Sequence, residues 1–213
     1  MKLKDKLILT DCDGVLLDWN YGFTKWMKKH GFEYIGSEEY SIHKRFDIEK
    51  SQGREYVRRF NESAAMGWLP AFRDSVKYVK KLHEEHGYIF HVITSLSTDE
   101  YAGKLRKKNL EALFGKTAFD GITCLDTGAD KNEALEKYLN SGCIWIEDKV
   151  INADVGLEYG LEPILIAHDH NKNVYDPNLF DFVRLDNWKE IYEYVTFPSV
   201  KYDKLKEKKV ASL

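Results

Sequence analysis

Hydrophobic positions follow two different patterns along this 213-residue chain. From Tyr88 onward, short aliphatic runs alternate with amphipathic stretches. Tyr88–Thr94 (YIFHVIT), Asp120–Leu125, Cys143–Glu147 and Pro163–Ala167 predict strands; Thr98–Phe114, Asp130–Leu139, Ile151–Tyr159 and Asn187–Val195 predict helices. Short apolar runs bounded by turn residues are buried strands, and their alternation with helices through short loops predicts a parallel sheet covered on both faces. Another such run, Leu7-Ile8-Leu9, opens the chain within Lys6–Asp18 (KLILTDCDGVLLD). The second pattern fills the gap between. Trp19–Gly31 places Trp19, Phe23 and Trp26-Met27 at helical intervals and stops at a glycine. Phe32 to about Pro70 is polar and aromatic, with helical stretches such as Gly53–Met66 and no convincing strand, and Ala71–His86 predicts a further helix with Val76, Val79 and Leu82 on one stripe.

The expected fold is therefore α/β: a doubly wound, Rossmann-like parallel sheet with a small helical cap inserted after the first strand. Residues 1–17 and 88–200 form the core, 18–87 the cap, and 201–213 a Lys-rich, solvated tail. A chain of this length can bury a full core, and 43% hydrophobic with 31% charged residues is ordinary for a globular protein. The net charge of −3 gives no case for an anionic membrane or a stable nucleic-acid partner. Cys12, Cys124 and Cys143 lie in or beside apolar runs without C-x-x-C spacing, and no apolar run nears the ~18 residues of a membrane span. Reduced thiols and no secretion signal point to a cytoplasmic protein.

The candidate chemistry sits at the carboxyl ends of the strands, where open α/β sheets place their sites. Asp11 and Asp13 follow the first strand. Two carboxylates that close repel unless a cation or proton holds them, and a hard, oxygen-preferring ion such as Mg²⁺ fits. A two-residue hairpin at Asp13-Gly14 is the bland alternative, made poor by the helix that follows almost at once. Thr94-Ser95 offers two hydroxyls to a phosphate, although residues 97–100 also make a good helix start. Lys131 opposes the dipole of the helix it opens, a hint that it meets an anion; Asp130 with Glu133 resembles a capping box. Glu147-Asp148 is a second strand-end acidic pair, which a parallel sheet brings to the same edge as the first. Four carboxylates around one point call for a divalent cation. His168-Asp169-His170 could bind a transition metal but lacks a recognisable third ligand, so a surface loop is expected.

Asp11-Cys12-Asp13-Gly14-Val15 resembles the D-x-D-G-[TV] signature of the haloacid dehalogenase superfamily of phosphohydrolases. Val92-Ile93-Thr94-Ser95, Lys131, and Ile146-Glu147-Asp148 with Asn152 and Gly156 are similar to its second, third and fourth motifs, in the right order. The insertion matches the position of that superfamily's first type of cap. The resemblance implies a Mg²⁺-dependent phosphomonoesterase in which Asp11 is the nucleophile that becomes an aspartyl-phosphate, and Asp13 the general acid and base. Thr94 and Lys131 would hold the phosphoryl oxygens. Asp11, Asp13 through its backbone carbonyl, Asp148 and Glu147 would hold the metal, with Asn152 behind them. The run from Asp13 through Asp18-Trp19 to Gly22-Phe23, and Asn187–Ile191 near the end, are similar to 5′(3′)-deoxyribonucleotidases. That likeness implies a small-molecule phosphate ester, a nucleoside monophosphate, as substrate, with Gly14, Ser95, Trp19 and Phe23 as contacts and Trp26 and Trp68 as further aromatic candidates. A sugar-phosphate phosphatase or phosphomutase is the nearest alternative. A phospho-acceptor or binding protein on the same fold is the more distant one.

Overall fold

The protein was analysed as a computed structural model that describes residues 6–36, 41–201 and 203–204; residues 1–5 and nearly all of the Lys-rich tail lie outside the described residues. Six strands form one parallel sheet: β1 (Leu7–Thr10), β2 (Ile89–Thr94), β3 (Phe119–Cys124), β4 (Ile144–Glu147), β5 (Glu162–Ile166) and β6 (Val183–Leu185), in the order β3-β2-β1-β4-β5-β6. β1 lies in the centre, its Ile8 and Leu9 fully buried on opposite faces. Strands buried on both faces read as unbroken aliphatic runs, which is why the first five were visible in the sequence. β6 was not: three residues centred on Arg184 carry no periodicity.

Ile8, Phe90, Val92 and Ile146 pack on the side of α4 (Ser75–Glu84), α5 (Glu100–Phe114) and α9 (Trp188–Thr196). Leu9, Ile93 and Trp145 pack on the side of α6 (Asn132–Glu136) and α7 (Val150–Glu158). Trp145 is fully buried because Gly156 of α7 crosses it; a Cβ there would stand 2.4 Å from the ring. The sheet order reverses direction between β1 and β4, so the crevice at their carboxyl ends is the natural ligand site. No helix among the described residues is long and apolar enough to cross a membrane, and all three cysteines are free.

The cap comprises α1 (Trp19–Lys29), α2 (Ile42–Arg45), α3 (Lys50–Asn61) and a 3₁₀ turn over Ala64–Trp68. Its core is aromatic. Phe23 stacks on Trp19 with centroids 4.6 Å apart and meets Phe46 and Phe60 edge-on. The chain enters and leaves the cap through two paired linkers, Asp18 N–H donating to Pro70 O (2.9 Å) and Phe72 N–H to Leu16 O (2.8 Å). Helix α4, expected within the cap, instead packs against α9, so the cap returns to the core at residues 70–72 rather than at 87. No hairpin forms at Asp13-Gly14: Leu16 and Leu17 N–H both donate to Cys12 O, closing a tight loop.

Candidate active site

Backbone pairing continues past the strand ends, Asp11 N–H donating to Ile146 O (2.8 Å) and Leu125 N–H to Thr94 O (2.9 Å). This draws the residues after β1, β2 and β4 to one edge. A cleft of about 610 Å³ opens there between core and cap, its floor formed by Asp11, Asp13, Gly14, Thr94, Lys131 and Asp148.

Lys131, nearly fully buried, bridges Asp11 Oδ1 (2.8 Å) and Glu147 Oε2 (2.7 Å). Burial works against its charge, but the two carboxylates prevail and raise its pKa above the ordinary lysine value. The helix begins only at Asn132, so the capping box expected at Asp130 and Glu133 does not form; Lys131 is the residue before the helix and its side chain runs to Asp11 instead. Both Glu147 oxygens are engaged: Oε2 takes Lys131, and Oε1 takes Lys149 N–H (3.2 Å) and Asn152 Nδ2 (3.1 Å). Burial, reinforced by Asp11, pushes its carboxyl up to about 8 against the pull of Lys131.

Asp148 is divided between two tasks. Oδ2 lies 3.3 Å from His170 Nε2, while Oδ1 is buried with no hydrogen-bond partner. Burial alone would raise this carboxyl; the His170 hydrogen bond and the charges of His168, His170 and Lys149 outweigh it and hold it at about 2. Carboxylate oxygens of Asp11, Glu147 and Asp148 come within 4.8 Å of one another. A partnerless buried oxygen in such a cluster fits a divalent cation. Thr94 Oγ1 is likewise buried and without a hydrogen-bond partner among the described residues, on a residue that lines the cleft.

The two histidines do not form the surface loop expected of them: His168 precedes and His170 lies within a short helix, α8 (Asp169–Lys172). His168 stacks on Phe72 (4.7 Å) and its Nε2–H donates to Gly14 O (2.7 Å); His170 stacks on His168 and reaches Asp148. The sequence pattern did not place Asp148 beside them, yet its carboxylate and a ring nitrogen of each histidine lie within 4.8 Å of one another. Burial lowers the His168 pKa, against the pull of the Asp148 carboxylate. Gly14 itself has φ +80°, and a Cβ there would stand 2.7 Å from Asp148 Oδ2.

Sequence reasoning missed Arg106. Fully buried on α5, it grips Asp13 with both nitrogens, Nη1 to Oδ1 at 2.5 Å and Nη2 to Oδ2 at 3.0 Å, and touches Cys12 Sγ and Met66 Sδ. The run Lys104–Lys108 looks like a solvated basic face. The available signal was position: Arg106 lies four residues after Ala102 and four before Leu110, on the buried stripe of the helix. Burial raises the Asp13 carboxyl above its ordinary value while Arg106 opposes that rise.

Of the expected substrate contacts, Gly14, Ser95 and Trp19 line the cleft. Ser95 Oγ donates to Ala129 O (2.7 Å), and Trp19 Nε1 donates to Asn61 Oδ1 (2.9 Å). Phe23 does not reach the cleft: it is 1% exposed inside the aromatic cluster, because its helical neighbours turn it toward Phe46 and Phe60. Trp26 packs in the same cluster. Trp68 is 76% exposed, with Lys108 over its ring, and lies outside the cleft.

A central parallel strand followed by an aspartate pair, with helices inserted directly after it, is the architecture of the haloacid dehalogenase-like hydrolases, and the chain has that fold. A haloacid dehalogenase-like hydrolase from Streptococcus pneumoniae superposes with TM-score 0.61 at 18% identity, covering 90% of this chain and 98% of that one. A hydrolase of the same family from Deinococcus radiodurans R1, with bound phosphate and sodium, gives 0.60 at 16% identity over 92% and 96%. The D,D-heptose 1,7-bisphosphate phosphatase of B. bronchiseptica, complexed with magnesium and phosphate, gives 0.55 at 11% identity over 89% and 97%. No family model matches the sequence. Among curated proteins, an uncharacterized 32.4 kDa protein from the Gp30–rIII intergenic region of Enterobacteria phage T4 is 29% identical over 168 aligned residues, taking in 74% of this chain. The match spans 59% of that relative's length.

Proposed function

We propose that the protein is a Mg²⁺-dependent phosphomonoesterase that works through an aspartyl-phosphate on Asp11. The observation that carries this reading is the floor of the cleft, where Lys131 holds Asp11 and two buried groups, Thr94 Oγ1 and Asp148 Oδ1, have no hydrogen-bond partner among the described residues. A phosphate monoester supplies oxygens for Thr94 and Lys131, both of which line the cleft. Asp11 and Asp148, with Glu147 in the same cluster and the backbone carbonyl of Asp13, would hold the cation. When bound, that ion supplies positive charge to offset the repulsion between carboxylate and phosphate.

The Asp11 carboxylate needs no deprotonation to attack phosphorus in line; its bond to phosphorus forms as the ester P–O bond breaks. Thr94 and Lys131 then stabilise the charge on the phosphoryl oxygens. Asp13 protonates the departing oxygen and afterwards takes a proton from the water that cleaves the aspartyl-phosphate. In the geometry seen, both Asp13 oxygens accept from Arg106, which suits the second, base step. Proton donation requires one oxygen to turn from the guanidinium toward the leaving group.

For the leaving group we favour a nucleoside, because Trp19 lines the cleft and aromatic rings stack on bases for ~1–3 kcal/mol each. The bisphosphate phosphatase among the similar structures keeps a sugar phosphate as the alternative. The test is phosphate release from an aryl phosphate and from nucleoside 5′- and 3′-monophosphates, with and without Mg²⁺. We expect Mg²⁺-dependent release that Asp11→Asn lowers at least ~10³-fold, the loss typical of an essential nucleophile. Release that survives Asp11→Asn would remove the mechanism.

A further inference from the structure

Helix α3 presents one face to the cleft: Lys50, Gly53, Arg54, Val57, Arg58 and Asn61, at the i, i+3, i+4 spacing of a single helical stripe. Arg58 is already neutralised by Glu55 (3.1 Å) and Glu62 (3.2 Å). Lys50 and Arg54 have no such partner among the described residues, and no acidic residue of α3 joins them in the cleft wall. The phosphoryl group in the proposed reaction is met by Lys131, Thr94 and the cation, all on the floor. Two positive charges on the cap wall, with no acidic partner among the described residues, are therefore surplus to that group. In a cleft, such charges focus attraction on an anion.

The row has a direction. Asn61, at the inner end of α3, donates from Nδ2 to Leu96 O (2.8 Å), two residues beyond Thr94. With a rise of 1.5 Å per residue, Arg54 stands about 10 Å and Lys50 about 16 Å further out along the helix axis. Trp19, hydrogen-bonded to the same Asn61, lies at the inner end. A molecule seated with its reacting phosphate on Asp11 and its body beside Trp19 would carry its far end to Arg54 and Lys50. Asp126, the acidic lining residue outside the floor cluster, accepts its own Thr127 N–H (2.8 Å).

We propose that the substrate is a phosphomonoester whose leaving group bears a second phosphate, held by Arg54 and Lys50. This rests on the phosphatase reading and narrows its substrate class. Arg is suited to the task because its guanidinium fork meets phosphate oxygens in pairs. Two sources share this chemistry, a nucleoside 3′,5′-bisphosphate and a sugar bisphosphate, and the assay separates them by pairing each with its own monophosphate.

The experiment measures kcat/KM for each pair in the wild type, in a double variant Arg54→Gln/Lys50→Gln, and in the charge-keeping Arg54→Lys/Lys50→Arg. We expect the wild type to prefer one bisphosphate over its monophosphate by about tenfold or more, a ratio that charge-assisted contacts readily supply. The Gln variant should bring that ratio near one, chiefly through KM, and the charge-keeping variant should retain most of it. Higher salt should also shrink the wild-type ratio, because these side chains are solvent-exposed. A wild-type ratio near one for both pairs, or an equal fall for bisphosphate and monophosphate in the Gln variant, would overturn the assignment. If no phosphomonoester is turned over, the phosphatase reading fails on its own. Calorimetric binding of the same bisphosphates then decides: weaker binding by the Gln variant sustains the proposal, and equal affinity ends it.

Discussion

On the floor of the cleft the charged candidates are fixed by ion pairs: Lys131 by Asp11 and Glu147, Asp13 by Arg106, Asp148 by His170. On the cap wall, Lys50 and Arg54 are exposed residues that line the cleft and have no ion-pair partner among the described residues. The two regions also differ in how they are built. The floor hangs from the ends of parallel strands, whose register fixes backbone positions; the wall is a helix resting on an aromatic cluster and tied to the core by side-chain hydrogen bonds. Asn61 meets Leu96 O, and Asn109 Oδ1 and Nδ2 pair with the backbone of Leu69 (3.0 and 3.1 Å). Displacing phosphate needs groups placed to within fractions of an ångström. Attracting an anionic end needs only charge of the right sign within reach.

The sharpest way to break this contrast is to loosen the floor. Arg106→Met leaves the Asp13 carboxylate beside a buried apolar side chain, and we expect a loss of about 3–5 kcal/mol in stability, the usual result of removing one partner of a buried pair. Turnover of an aryl phosphate by the remaining folded protein should fall about 10²-fold, the scale of a displaced acid–base group. Arg106→Lys should recover more stability than turnover, since one ammonium cannot hold both carboxylate oxygens. Denaturant midpoints at the wild-type value would show that the clamp does not hold the floor. Next in size is Phe23→Ala. Deleting a buried ring from the cap should cost about 3–5 kcal/mol, with aryl-phosphate turnover per folded molecule little changed. A raised KM without loss of stability would return Phe23 to the substrate.

The smallest effect expected is on pH. Glu147 is raised from an ordinary 4.5 to about 8, so the folded protein keeps a proton that the unfolded chain has given up. Its stabilising contribution is complete below about 4.5 and is lost as pH rises through about 8. Melting temperatures taken in chelator should therefore decline across that window in the wild type and decline less in Glu147→Gln. Parallel curves for the two proteins would show that Glu147 does not carry this linkage.

The contrast between floor and wall also explains what the sequence made legible. Parallel strands put their carboxyl ends on one side, so Asp11, Thr94, Glu147 and Asp148 could be gathered at one edge from the strand pattern, with Lys131 added by its place at a helix start and by the family resemblance. The strand-buried aliphatic runs announce themselves; side chains that act through a distant partner do not. Arg106 hides in a basic run because its partner lies 93 residues away. The meeting of His168 with the Gly14 carbonyl spans 154 positions, and no local rule foretells it. Phe23 had the spacing of a helix face, but which face met solvent depended on where Phe46 and Phe60 would arrive. The substrate wall is the least legible part: Lys50 and Arg54 look like any solvated helix surface until the fold shows what lies across from them.

Gly14 carries a consequence for how this chain can vary. Its backbone is left-handed, where other residues are strained, and the space its Cβ would need is filled by Asp148 Oδ2 and, at 3.4 Å, by His168 Nε2. Its carbonyl is also the acceptor that anchors His168. Every replacement at this position adds a Cβ, and every Cβ strikes the same carboxylate. Neighbouring side chains can drift together and compensate one another over generations of change, but here no second substitution restores both the handedness and the space. A side chain at position 14 would thus disturb, through one added carbon, both the Asp148 carboxylate and the ring that its own carbonyl anchors.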